Sequence, residues 1–186
     1  VYTENDYVKK GFSGITDILG SDSFKGYFGE QKDLLMGARY RPLSIVAFAV
    51  EYGIVGKTDP MISHLINIIL YILLGWLIYY LVFKLNMKWP YKQWFIALPF
   101  LVALLFLLHP VHVEAVANVK GRDEILTLIA SLLSLYFFYE YYRKGKTIML
   151  TVASIVFFIA LLFKENALTF LAVIPACLWV FRKYKA

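Results

Sequence analysis

From residue 64 onward the chain is written in long apolar runs broken by short polar connectors. The run at 64–83 is long enough, as a helix, to cross roughly 30 Å of hydrocarbon. Four more follow at about 94–108, 125–142, 147–163 and 168–181. Two of them are short for a solitary crossing, and helical continuation into their polar flanks would lengthen them. Pro99 and Pro175 are expected to kink their runs, with neighbouring helices satisfying the freed carbonyls. The pattern predicts an all-α integral membrane fold, with about five transmembrane helices over residues 63–186.

Residues 1–62 follow a different pattern. They are polar, rich in glycine and aromatics, and hold no apolar run of spanning length before residue 41. Residues 11–20 predict a short amphipathic helix closed by glycine. Residues 40–52 predict another, with Pro42 in its first turn. Its apolar part is too short to span, so an interfacial or re-entrant position fits it better. Residues 53–60 form a turn-rich connector, and Ser63 is placed to cap the first long helix. The expectation is an extracytoplasmic loop with interfacial helices over 1–62.

Composition sharpens this picture. The 186 residues are 60% hydrophobic and only 17% charged, with a mean hydropathy of +0.64. A soluble domain carries roughly 45–50% apolar and about 25% charged residues. The net charge of +6 could suggest nucleic acid, but nine of the nineteen Lys and Arg sit in three clusters at the ends of apolar runs. That placement is a topology signal, so no nucleic-acid partner is expected. The connectors at 84–92 and 143–146 and the stretch 182–185 are basic; those at 109–124 and 164–166 are not. Basic loops face the cytoplasm, which puts 1–62, 109–124 and 164–166 together on the other side. Tyr and Trp cluster near segment ends, as in aromatic belts. The lone Cys177 lies in an apolar run and offers no disulfide framework.

The connector at 109–124 carries the chemistry. Eight of its sixteen side chains are ionisable, imidazole or amide groups, and such groups at a bilayer edge are costly. His109 and His112 share a helical face at i, i+3, whereas Glu114 falls on another face and Pro110 disturbs the ladder. A metal site made from this segment alone is therefore not favoured, and no cofactor is expected. Helix capping by the histidines and recognition of an anionic or hydroxylated ligand both remain open. Asp123 and Glu124 complement a helix dipole. Arg39, Arg41, Arg122 and Lys164 are four cations on the non-cytoplasmic face. Snorkelling to lipid headgroups or a site for a lipid phosphate would explain them, since a guanidinium matches phosphate geometry. His64 and Asn67, one turn apart, are suited to bonding a neighbouring helix.

Together, Arg39-Tyr-Arg-Pro-Leu-Ser, His64-Leu-Ile-Asn, His109-Pro-Val-His-Val-Glu-Ala-Val-Ala with Gly121-Arg, and Lys164-Glu carry a resemblance. In that order, from about Asn5 to Lys185, the chain resembles the multi-pass GT-C type glycosyltransferases. Within them it is similar to the transmembrane O-mannosyltransferase-like proteins that carry carboxy-terminal tetratricopeptide repeats. The resemblance implies transfer of a sugar, with mannose the candidate, from a polyprenyl- or dolichyl-phosphate donor to a hydroxyl of a protein or glycan acceptor. Transfer would occur on the extracytoplasmic side. It also implies a catalytic acidic pair upstream of Val1, so that Glu4 and Asp6 are not assigned that role and the sequence reads as a fragment of a longer protein. Glu114 is then the expected acid here, hydrogen-bonding a sugar or orienting Arg122. Arg39, Arg41, His109, His112, Arg122, Lys164 and Glu165 are the expected lipid-phosphate and substrate ligands. A polytopic transporter and a non-catalytic scaffold are the rivals. A bacterial inner membrane is expected in preference to the endoplasmic reticulum.

Overall fold

The computed structural model describes Tyr2, residues 4–21, Gly26, residues 40–85 and residues 97–182. Among these residues it is helical and contains no strand. The short helices α1 (Asp6–Lys9) and α2 (Ile15–Leu19) are joined by a 3₁₀ turn over Gly11–Gly14. Asn5 caps α1, its side chain accepting from the amides of Tyr7 and Val8. Helix α3 (Pro42–Val55) begins with proline in its first turn, as predicted. Val8 and Ile18 pack on Ile45, Phe48 and Ala49 of α3, forming a small core.

Helix α4 (Pro60–Lys84) is the longest, at 25 residues, or about 37 Å at 1.5 Å per residue. It starts a turn before the predicted Ser63 cap. Asp59 is the actual N-cap, accepting from the Met61 amide, and Pro60 fills the first position. The hydroxyl of Ser63 is engaged elsewhere. Helix α5 (Leu98–Leu108) follows; the start of the predicted 94–108 run lies outside the described residues. Pro99 sits in its first turn. No intrahelical hydrogen bond is lost there, so it starts the helix instead of kinking it.

The chain then bends by 53° into α6 (Val113–Ala117), through a 3₁₀ turn over Pro110–His112. Helix α7 (Arg122–Lys144) has 23 residues, or about 35 Å. Its left-handed closing residue Gly145 has φ 68°; it turns the chain back into α8 (Thr147–Phe163). A 3₁₀ turn over Glu165–Thr169 leads to α9 (Phe170–Arg182), which contains Pro175.

The packing is inverted relative to a water-soluble protein. On α4 the exposed side chains include Leu65, Ile69, Ile72, Trp76 and Phe83, one stripe at i, i+3, i+4 spacing, whereas Asn67 is wholly buried. On α7 the buried side includes Arg122, Asp123, Thr127, Ser131, Ser134 and Glu140. Apolar out and polar in is the arrangement that hydrocarbon selects. Helices α7 and α8 approach closely through Ala130, Ser134, Ala153 and Ala160, and the Ser134 hydroxyl donates to the Ala153 carbonyl at 2.9 Å. Small residues allow such contact without any hydrophobic drive between helices.

By length and apolarity, α4 and the stretch Val119–Lys144 are each able to cross a membrane, and α5 with Pro110–Ala117 forms a bent pair of comparable length. The apolar helices α8 and α9, in the predicted runs at 147–163 and 168–181, are shorter than these. The fold is that of an all-α membrane protein in which the 110–121 connector and the α8–α9 junction meet at the head of α7.

Candidate functional site

Two polar constellations meet at the head of α7. The first is buried. Arg122, the first residue of α7, is 2% exposed. Its Nη1 lies 2.6 Å from Glu51 Oε2 on α3. Its Nε donates to Asn67 Oδ1 on α4 at 3.1 Å, and its Nη2 donates to the Ser63 carbonyl at 3.1 Å. The guanidinium stacks on Phe48 with 4.2 Å to the ring centre. Ser63 donates its hydroxyl to the other Glu51 oxygen. The Asn67 amide donates onward to the Asn118 carbonyl at 3.0 Å. The chain can reach this node because position 121 is glycine: a Cβ there would lie 2.2 Å from the Ala115 carbonyl oxygen. A charge this dry survives only with a counter-charge and filled hydrogen-bond positions.

The second constellation borders an open cavity of about 680 Å³, between the 110–121 connector, the first turns of α7 and the α8–α9 junction. Arg41, His112, Glu114, Asp123, Glu124 and Lys164 line it. Arg41 grips Glu165 with two parallel contacts, the Nε–Oε2 distance being 2.7 Å, and lies 3.6 Å from Asp123. Hydrogen bonding to Glu165 raises the Arg41 pKa above its ordinary value against the cost of burial, so it is a permanent cation. Lys164 pairs with Glu124. Glu114 is exposed on the cavity wall and makes no ion pair with any described residue. His112 leans its ring against Phe106 with 4.2 Å between centres. Deeper along α7, Thr127 and Ser131 continue the polar wall inward.

The structure thus sorts the predicted residues. Arg41, His112, Glu114 and Lys164 line one cavity, and Glu165 holds Arg41 from beside it. His109 stands outside the lining. Its Nδ1 accepts from the Val111 amide at 3.2 Å, which is a capping contact. Arg122 is turned away into the buried node, with its donors taken up by protein groups. Its counter-ion is Glu51, not Glu114. Arg39 lies outside the described residues. Glu51 was missed by sequence reasoning; its signal was a single carboxylate in an otherwise apolar stretch of helix. Asn67 was read as a helix-bonding residue, and it is the bridge between α4, the 118–119 backbone and Arg122. Among the described residues, no three His, Cys, Asp or Glu side chains converge as metal ligands.

A helical membrane protein with a charged cavity at one end of its spanning helices is the class defined by this fold and site. Comparison with known proteins narrows it. Over 145 residues, 74% of the chain, it is 31% identical to protein O-mannosyl-transferase Tmtc1 of Drosophila melanogaster. It is 36% identical over 136 residues, or 70% of the chain, to the human protein O-mannosyl-transferase TMTC3. It is 30% identical over 146 residues, or 71% of the chain, to the human protein O-mannosyl-transferase TMTC4. The chain is a relative of these protein O-mannosyl-transferases, and the aligned part makes up only 15%, 14% and 20% of their respective lengths. All three come from animals, so the expectation of a bacterial inner membrane finds no support in them. No family model and no solved structure matches the chain.

Proposed function

We propose that the chain supplies part of the active site of a membrane glycosyltransferase, which moves a sugar from a polyprenyl- or dolichyl-phosphate donor to a hydroxyl of a protein or glycan acceptor. The relatives' names, protein O-mannosyl-transferases, point to mannose as the sugar. The animal origin of these relatives supports a eukaryotic membrane over a bacterial one. The observation that carries the reading is the cavity, whose lining brings together Glu114, a carboxylate with no ion pair to any described residue, and two sheltered cations, Arg41 and Lys164.

In this reaction the acceptor oxygen forms a bond to the anomeric carbon while the bond from that carbon to the phosphate oxygen breaks. The acceptor proton passes to a carboxylate; Glu114, or an acid supplied from outside this chain, takes it. The electron pair leaves on the lipid phosphate, whose growing charge is held by Arg41 and Lys164, with His112 as a further donor. Fixed cations supply the stabilisation that a divalent metal would otherwise provide, so the reading requires no metal. On this reading the cavity and residues 1–62 face away from the cytoplasm, because Lys84, Arg143 and Lys144 lie in the last turns of α4 and α7, at the ends opposite the cavity.

The test is transfer of labelled mannose from dolichyl-phosphate mannose to peptides, by the full-length protein in proteoliposomes. Arg41→Gln and Glu114→Gln are expected to lower turnover about 10²-fold, the scale of losing one transition-state donor or a positioned acid or base. Activity should persist in excess chelator. Wild-type turnover in both variants would overturn the assignment of the cavity. Loss in chelator with rescue by manganese would overturn the metal-free route.

A further inference from the structure

The bent segment that carries His112 and Glu114 is gripped at both ends by one helix. At its start, the Tyr71 hydroxyl on α4 donates to the Leu107 carbonyl at 3.0 Å. That carbonyl is one of those the end of α5 leaves without an intrahelical partner. At its finish, the Asn67 side-chain amide on α4 donates to the Asn118 carbonyl at 3.0 Å. Positions 67 and 71 are one turn apart on the same face of α4.

Asn67 is wholly buried, and its neighbours fix which way the amide points. Arg122 Nε can only donate and a backbone carbonyl can only accept. The amide oxygen therefore faces Arg122, at 3.1 Å, and the nitrogen faces the connector. Asn118 passes this constraint on within a single residue. Its carbonyl takes the Asn67 amide, and its own N–H donates to the Glu114 carbonyl at 2.9 Å. The connector is closed behind it, because the Gly121 amide donates to the same Asn118 carbonyl at 2.8 Å and the Lys120 amide donates to the Asn118 side chain at 3.0 Å. Glu114 makes no ion pair with any described residue. Its backbone, and not a partner side chain, therefore determines where its carboxylate stands.

We propose that Asn67 and Tyr71 are positioning residues, which fix Glu114 in the cavity wall by holding both ends of the 107–118 segment on α4. The buried Glu51–Arg122 pair serves the same end, since Arg122 anchors Asn67 from behind. A proton acceptor displaced by about 1 Å loses up to about 10²-fold in rate. The inference rests on the reading of Glu114 as the carboxylate that takes the acceptor proton, and it adds the residues that hold it there.

The test uses the full-length protein in proteoliposomes. Transfer of labelled mannose from dolichyl-phosphate mannose and amide exchange over residues 107–121 are measured for Asn67→Asp and Tyr71→Phe, each with and without Glu114→Gln. Asn67→Asp keeps an acceptor for Arg122 and removes the donor to Asn118. Tyr71→Phe removes one hydroxyl, keeps the ring and buries no new charge, so it decides the matter should Asn67→Asp fail to fold. Exchange is expected to quicken about 2- to 10-fold, the equivalent of one hydrogen bond, at residues 118–121 in Asn67→Asp and at 109–112 in Tyr71→Phe. Turnover should fall about 10- to 10²-fold in Asn67→Asp and less in Tyr71→Phe, with KM little changed. Neither loss should add to that of Glu114→Gln, because a misplaced group and a missing one fail at the same step. Unchanged exchange in the folded variants would overturn the clamp. Faster exchange with wild-type turnover, or with a loss repeated in full on top of Glu114→Gln, would overturn the positioning role and leave a purely structural tie. Wild-type turnover in Glu114→Gln would instead overturn the reading of Glu114, and the positioning role with it, while the exchange rates still report the clamp.

Discussion

Breaking the Glu51–Arg122 pair should cost far more from one side than from both. Arg122→Met leaves the Glu51 carboxylate in the core with only the Ser63 hydroxyl as partner. Glu51→Leu leaves a guanidinium with Asn67 and the Ser63 carbonyl as neutral acceptors and no counter-charge. Orphaning one member of a buried pair costs about 3–5 kcal/mol. The double variant replaces the pair with packed apolar groups beside Phe48. It forgoes two hydrogen bonds from Arg122 and one from Ser63, at about 1 kcal/mol each. The singles therefore sum to roughly 6–10 kcal/mol and the double to about 3 kcal/mol, a coupling of at least ~3 kcal/mol. Equilibrium unfolding by SDS in mixed micelles, followed by far-UV circular dichroism, measures all four corners of the cycle. Additive single effects, or singles below about 1 kcal/mol, would refute the view that Arg122 is a buried structural tie. The same result would return it to the candidates for phosphate binding. Because Asp123 and Glu124 follow directly in the chain, each destabilising single should also loosen the cavity wall.

Three further outcomes are expected. A Cβ built at Gly75 lies 2.7 Å from Leu107 Cδ1, so Gly75→Val should push α5 off α4 at about 1–3 kcal/mol; a thermal midpoint unchanged in detergent would contradict that packing. The Asp59 carboxylate is held below its ordinary pKa by Lys57 and the Met61 amide. Its cap on α4 is therefore fully present above the unfolded carboxylate value and is lost as pH falls through the lower folded one. Amide exchange at residues 61–63 should quicken over that acid range in wild type and show no such transition in Asp59→Asn. Cysteine labelling in a Cys177→Ser background should modify position 118 only from the non-cytoplasmic side and position 145 only from the cytoplasmic side; the reverse would overturn the orientation read from the basic connectors.

How much of this was legible in the chain follows from the range of each interaction. The helical runs, the proline start at Pro42 and the alternation of basic with mixed-charge connectors are written locally. A stretch such as 64–83 has only one low-energy answer in hydrocarbon, because its backbone must satisfy its own hydrogen bonds. The apolar stripe of Leu65, Ile69, Ile72 and Trp76 and the opposing Asn67 follow from the same period of 3.6. Helix starts were less legible. The Asp59 cap displaced Ser63 because a carboxylate followed by proline competes well for the first turn. Residue partnerships were not legible at all. Arg41 and Glu165 stand 124 residues apart, and nothing in either neighbourhood names the other. Arg122 looked like a ligand from its place at a bilayer edge, and only the approach of α3 and α4 supplied Glu51, Asn67 and the Ser63 carbonyl that absorb it. Sequence alone determined a helical membrane protein whose basic clusters and mixed-charge connectors fall at alternate ends of the apolar runs. Tertiary structure decided which charges face the cavity and which are spent inside, because a buried ion takes whatever partner the packing brings within 3 Å or so.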